Sequence, residues 1–565
     1  MTARHRALGV CATLLALLPV AGCGGSGTDT ASPTTTTAAA IPLVSTDDLP
    51  APQPGEVHLF GINDLHGNLQ PPGGSNGRVG TYTAGGAAYL SAHLAKLKAA
   101  YPDSAVVSAG DNISASPLIS ALFHDEPTIT YLNSIGLAAS SVGNHEFDHG
   151  VQELARLQTG GGCAPDGCSP GEPFAGAKFP YLAANVTDGN GHLPPALRPW
   201  TMLEVGGHKI GVVGTVTPTT ANIVLPEGIR GYTFGDETDA INKYVPEMKA
   251  AGAETVVALL HDGGAQRTHG GPVDYNGCAD ISPAAADLAR RTDPAVRVLV
   301  TGHTHQAYNC TIDGKLVTQA SSFGRIITDI RLRFHDGTVD AEAVNRVVTR
   351  DITPEPAATA LVDFFAAQAQ PLGQRVIGTA AAPLSREPSP AGDSPLGDVI
   401  ADAMLAALAP QQAVAAFMNP GGVRADLGAG PITYEKAYTV QPFGNQVVGV
   451  RLTGQQILNL LEQQWDNAST PGVLSVAGIT YAYDDKAPKG HKVLSDTVRI
   501  GGQALNPVAV YVVSTNNFLA AGGDGFSVFT QGSPAGVGPT DLDAFESYLK
   551  THGPIEPPSG RIEKR

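Results

Sequence analysis

The 565-residue chain carries 35 Lys and Arg against 52 Asp and Glu, a formal charge of −17, and only 15% of its residues are charged. Its 67 Gly and 43 Pro exclude a coiled coil or helical bundle, and 42% hydrophobic residues exclude a disordered chain. The acidic balance argues against a nucleic-acid partner, because a phosphate backbone rewards clustered Lys and Arg. An anionic substrate must therefore be gathered by local cations.

The N-terminus speaks to compartment. Arg4 and Arg6 precede an apolar run from Leu8 to Gly22, followed by Cys23. This is the layout of a signal peptide, too short for an ordinary membrane span. Val20-Ala21-Gly22-Cys23 resembles a bacterial lipobox, whose cysteine receives a diacylglycerol; the competing reading is a plain secretory signal with an incidental cysteine. We expect residues 1–22 to be a lipoprotein signal peptide and residues 23–55, rich in Gly, Ser, Thr and Pro, to be a tether. The protein would be exported and lipid-anchored through Cys23 at the outer face of the cytoplasmic membrane or cell envelope. Cys11 leaves with the signal, so Cys163, Cys168, Cys278 and Cys310 remain, an even number that favours two disulfides in an exported chain. Cys163–Cys168 with Cys278–Cys310 is the simplest of three connectivities.

From Glu56 onward, short apolar runs end abruptly in polar residues, as strands do when their tips carry a site. Val57 to Asn63 runs into Asp64-Leu65-His66, and Ala105 to Gly110 into Asp111. Ser140 to Gly143 leads into Asn144-His145-Glu146-Phe147-Asp148. Glu254 to Leu260 ends in His261, and Val296 to Gly302 in His303-Thr304-His305. Helix-like segments such as Ala87 to Ala100 lie between them. Carboxylate and imidazole donors suit Zn, Mn or Fe, and one carboxylate can bridge two ions about 3.5–4 Å apart. The remaining histidines, His58 and His93 among them, read as surface or hydrogen-bonded residues.

Together these five motifs resemble the calcineurin-like metallophosphoesterases, and the forms Asn63 to Gly67 and Gly143 to Asp148 resemble their 5′-nucleotidase branch. The resemblance implies an αββα sandwich over residues 56–350. It further implies two divalent ions, one held by Asp64, His66 and His305, the other by Asn144, His261 and His303, with Asp111 between them. His145, held by Asp148, would be the catalytic dyad. Many bacterial 5′-nucleotidases carry Gln where this chain has His305.

Thr353-Pro354-Glu355-Pro356 breaks the pattern, and Ala357 to Gln370 reads as one helix ending before Pro371, within a linker spanning 351–372. Residues 373–556 read as an α+β domain, with helices such as Leu396 to Leu408 and strands such as Gln446 to Leu452, and residues 557–565 as a tail. Ser385-Arg386-Glu387, Asn419 to Arg424 and Asn517 to Phe526 resemble the nucleotide-binding C-terminal domain of 5′-nucleotidases. Phe443 and Phe518 could sandwich a base, stacking being worth about 1–3 kcal/mol. Asp524 could accept from ribose hydroxyls, Asn419 could reach the base edge, and Arg386 and Arg424 offer planar cations for phosphate. Pro420 and Asp398 depart from the family pattern. Family members bring the two domains together by rotation, and the helix at 357–370 is the expected hinge region.

The reading is a metal-dependent enzyme that hydrolyses nucleoside 5′-monophosphates at the cell surface. Its rivals are a UDP-sugar or dinucleotide pyrophosphohydrolase, a 2′,3′-cyclic-nucleotide phosphodiesterase with 3′-nucleotidase action, and a surface binding protein with a vestigial site.

Overall fold

The computed structural model describes residues 42–565 except 48, 164–169, 171–172, 268–272 and 467–470. The signal peptide, Cys23, most of the tether and Cys168 of the expected Cys163–Cys168 pair lie outside the described residues. Among those described, no helix is long and apolar enough to cross a membrane.

Two six-stranded sheets build the first domain. β1 (Glu56–Ile62) is flanked by β2 (Ser104–Ser108) in parallel and by Ile326–His335 antiparallel, with β3 (Leu137–Ser141) beyond β2. In the second sheet β4 (Thr255–His261) lies parallel to both β5 (Val296–Thr301) and His208–Val216. Alternation along the strands makes the layers. Val57 and Leu59 of β1 and Val257 and Leu259 of β4 meet between the sheets. Phe60 and Ile62 instead face helix α1 (Ala87–Ala100), and Val256, Ala258 and Leu260 face the helices of the opposite side. These central strands are thus apolar on both faces, which is what their uninterrupted Val, Leu and Ala runs encode.

The second domain wraps a five-stranded sheet containing β6 (Ala415–Met418), β7 (Gln446–Thr453) and β8 (Val510–Asn516). Ala416 and Met418 pack on helix α3 (Pro395–Ala407), and Ala415 and Phe417 on the opposite core.

Three boundaries differ from expectation. Residues 42–47, read as part of the tether, are docked: Thr46 is buried and bonds His93 at 2.8 Å, and Val347 N–H donates to Val44 O at 2.9 Å. The tail contains a strand, Ile562–Lys564, paired with Tyr481–Tyr483. The linker helix, α2 in chain order (Pro356–Gly373), runs through Pro371, because a proline in the last turn removes a single bond while Gln374 N–H still reaches Gln370 O at 3.0 Å. Its Ala358, Val362, Phe365 and Ala369 lie in the first domain's core, so this helix belongs to that domain as a packed element. A disulfide joins Cys278 to Cys310, with Cα atoms 5.1 Å apart.

Candidate metal centre and nucleotide cleft

The five strand ends converge. Asp64 N–H donates to Gly110 O and His66 N–H to Asp111 O, which carries the β1–β2 pairing past the sheet and sets the two loops side by side. Asp64, His66, Asp111, His303 and His305 all have φ between 45° and 69°. Left-handed backbone at non-glycine residues costs of order 1–3 kcal/mol each, a cost that marks a constrained site. Glycine is required beside them. A Cβ on Gly143 would lie 2.1 Å from Asp111 Oδ1, and one on Gly110 2.6 Å from Gly143 N.

Two donor sets result. In the first, His305 Nε2 lies 3.3 Å from Asp64 Oδ1 and 3.2 Å from His66 Nε2. In the second, Asn144 Oδ1 is 3.2 Å from His261 Nε2 and 2.9 Å from His303 Nδ1. Asp111 Oδ2 stands between them, 3.6 Å from His66 Nε2 and 3.1 Å from His261 Nε2. His66 Nδ1 lies 3.0 Å from Ser114 O and His261 Nδ1 2.6 Å from Ala109 O. A carbonyl only accepts, so Nδ1 of each carries a proton, and His66 Nε2 turns a lone pair inward. Burial would lower His261, but Asp111 outweighs it and raises this imidazole to about 10, so its Nε2 proton leaves when a cation binds. Burial pushes His66 and His305 well below the usual imidazole range, which keeps them neutral. Burial would raise Asp111, but His261 and His145 outweigh it and hold this carboxyl well below its ordinary value. Convergent, mostly buried O and N donors of this kind fit divalent cations.

His145 follows Asn144. Its Nδ1 lies 2.7 Å from Asp148 Oδ2, and its backbone N–H donates to Asp111 Oδ1 at 2.9 Å. Burial opposes a positive charge on this imidazole, but Asp148 and Asp111 overcome it and raise its pKa. Two supporting residues went unassigned in the sequence. Glu146 accepts the backbone N–H groups of Gly143, Asp111 and Asn112 at 2.5–2.9 Å, fixing the bridging loop. Asn63 donates to Asp64 Oδ2 at 2.6 Å and accepts Ala320 N–H at 2.8 Å. Glu146 stands inside the Gly-Asn-His-Glu motif, where a buried acid beside three loop amides is the available signal.

A cleft of about 360 Å³ brings Asn144, His145, Asp148 and His303 together with Asn419, Arg424, Phe443, Phe518 and Asp524. The Phe443 ring stacks on His145 with centroids 5.7 Å apart, and Arg424 lies over the same ring at 5.8 Å. The Phe518 ring lies on Gly523, where a Cβ would approach it to 2.5 Å. Asn419 has both ends of its amide engaged, Nδ2 donating to Asp524 Oδ2 at 2.8 Å and Oδ1 accepting from Asn516 at 3.1 Å. Arg386 does not line the cleft. It donates to Arg424 O at 3.2 Å and to Asn76 Oδ1 at 3.3 Å, holding the loop that presents Arg424.

Residues 58–307 match the family model for calcineurin-like phosphoesterases, and residues 376–531 the model for the 5′-nucleotidase C-terminal domain. The chain is 34% identical over 510 residues to endonuclease YhcR of Bacillus subtilis, covering 88% of this chain and 40% of that protein. It therefore spans about two fifths of that relative's length. It is 31% identical over 531 residues to cell wall protein Lmo0130 of Listeria monocytogenes, covering 87% of this chain and 67% of the other. The crystal structure of a 5′-nucleotidase precursor from Thermus thermophilus superposes with a TM-score of 0.76 at 29% identity, covering 90% of this chain and 99% of the other.

Proposed function

We propose that this chain, which belongs to the calcineurin-like phosphoesterases bearing a 5′-nucleotidase C-terminal domain, hydrolyses nucleoside 5′-monophosphates to nucleoside and phosphate. One observation carries the reading: a single cleft is lined by Asn144, His145 and His303 together with Phe443 and Phe518. That lining pairs a phosphoryl site with aromatic faces for a base.

Two divalent cations, one held by Asp64, His66 and His305 and the other by Asn144, His261 and His303 with Asp111 between, would supply positive charge to the phosphoryl group and acidity to the attacking water. Because Nδ1 of His145 is engaged by Asp148, Nε2 is the atom free to donate to a phosphoryl oxygen or the departing 5′ oxygen. Arg424 adds a planar, permanently charged donor, placed by the Arg386 hydrogen bond to its carbonyl. Asp524 keeps Oδ1 for a ribose hydroxyl while Oδ2 is held by Asn419. Phe443 and Phe518 take the base.

We place the protein outside the cytoplasm, anchored through Cys23, as the lipobox-like sequence supports. Phosphate release from AMP, abolished by a chelator and restored by Zn²⁺ or Mn²⁺, tests the activity; release that survives chelation refutes it. A panel of UDP-glucose, NAD, 3′-AMP and 2′,3′-cyclic AMP separates it from pyrophosphohydrolase and cyclic phosphodiesterase action.

A further inference from the structure

The second domain does not enclose the nucleoside end of the cleft alone. Ile223, Val224 and Leu225 of the first domain line the same cavity as Phe443, Phe518 and Asp524. Val224 is buried in the first domain's core together with Ile229, whereas Ile223 and Leu225 on either side are partly exposed. Two aliphatic side chains therefore project from an anchored segment beside the residues that would hold the nucleoside. The anchor is firm at its far end. Val151 N–H donates to Gly228 O at 3.1 Å, and a Cβ on Gly228 would come within 3.0 Å of Gly150 Cα. Gly150 follows the dyad by two residues, so this segment and His145–Asp148 are parts of one rigid surface.

We infer that Ile223 and Leu225 form an apolar wall of the nucleoside subsite, so that the base is held by aromatic rings of one domain and aliphatic side chains of the other. The inference rests on the nucleotidase reading and adds to it the source of base affinity. An aliphatic wall contacts any planar base and reads no hydrogen-bonding edge, so purine and pyrimidine nucleotides are accepted alike. The wall exists only when the domains face each other as they do here, which makes base binding a reporter of closure.

The test uses the full chain with AMP, UMP and ribose 5-phosphate, which has no base. For the wild type, kcat/KM for AMP and UMP should agree to within about tenfold. The Ile223→Ser, Leu225→Ser double variant should raise KM for both nucleotides by about tenfold or more with kcat little changed, while ribose 5-phosphate kinetics stay as in the wild type. Ile223→Val, Leu225→Met should restore wild-type KM, which separates loss of the wall from loss of fold. Unchanged nucleotide KM in the double variant, or an equal loss on ribose 5-phosphate, overturns the inference. A wild type that leaves AMP intact overturns the nucleotidase reading itself, a result the variants cannot mimic.

Discussion

Replacing Asp398 by Asn should make the second domain's stability less sensitive to pH. Asp398 is buried in the first turn of α3, accepts Val476 N–H at 3.0 Å, and lies 3.6 Å from Arg561 Nε. Burial outweighs Arg561 and pushes its carboxyl up to about 7. A folded-state pKa above the unfolded value means that the native state binds the proton more tightly. The stability this contributes is complete below the unfolded pKa of about 3.9 and is lost as pH rises towards 7. Two of those pH units lie between about pH 5 and 7, so at about 1.36 kcal/mol each the wild type loses about 3 kcal/mol there. Asn keeps an acceptor for Val476 and carries no proton to lose. For a domain of this size that corresponds to a relative shift of about 6–12 °C in Tm. Thermal unfolding of both proteins at pH 5 and pH 8 measures it, and subtracting one from the other removes every other titrating group, including Asp541. The variant should gain on the wild type as pH rises. A Tm difference that is the same at both pH values would refute the argument that this carboxyl is held protonated by burial.

The metal centre gives three further expectations. Asp111→Asn should lower kcat/KM on AMP by at least about 10²–10³-fold, since it removes the charge shared by both donor sets; metal analysis and steady-state kinetics check it together. Asp148→Asn should lower kcat about 10–100-fold with little change in metal content, because it acts on His145 alone. Gly143→Ala forces a methyl to within 2.1 Å of Asp111 Oδ1 and should cost the protein its bound metal while leaving the second domain's unfolding unchanged, as calorimetry with metal analysis would show.

Much of the candidate metal centre's convergence was legible because its signals are local. A strand ending in Asp-x-His or Gly-Asn-His places its ligands within a few residues, and those residues meet because parallel strands put their C-terminal ends at one edge. Asn63 and Glu146 were harder to read, since their work is to bond loop amides, and an amide carries no sequence signature. The proposed nucleoside subsite depended on contacts across the cleft. Arg386 looks like Arg424 in sequence, and only its bonds to Asn76 and to the Arg424 carbonyl separate a supporting cation from a lining one. Ile223 and Leu225 read as ordinary apolar residues until their place in the cavity is known. Cys278–Cys310 was the simplest local pairing and is formed. Helix α2 passed through Pro371 because its apolar face had a core to join, a tertiary effect that local propensity does not contain.

The end of that helix has a consequence for how the cleft works. Gly373 closes α2 on the first domain, and the second domain's first strand starts at Val376, leaving Gln374 and Arg375 as the span between them. Arg375 is itself held by Glu546 and lies over the Tyr434 ring at 5.0 Å. Two residues supply four soft torsions, and part of that freedom is already spent. The rotation that the family resemblance implies would have to pivot on these two residues, with little slack for other movement. Such a pivot would keep the aromatic rings close to the proposed metal ligands. A long flexible linker would dilute the encounter of the two half-sites, whereas a two-residue connection would keep the effective concentration of one at the other high.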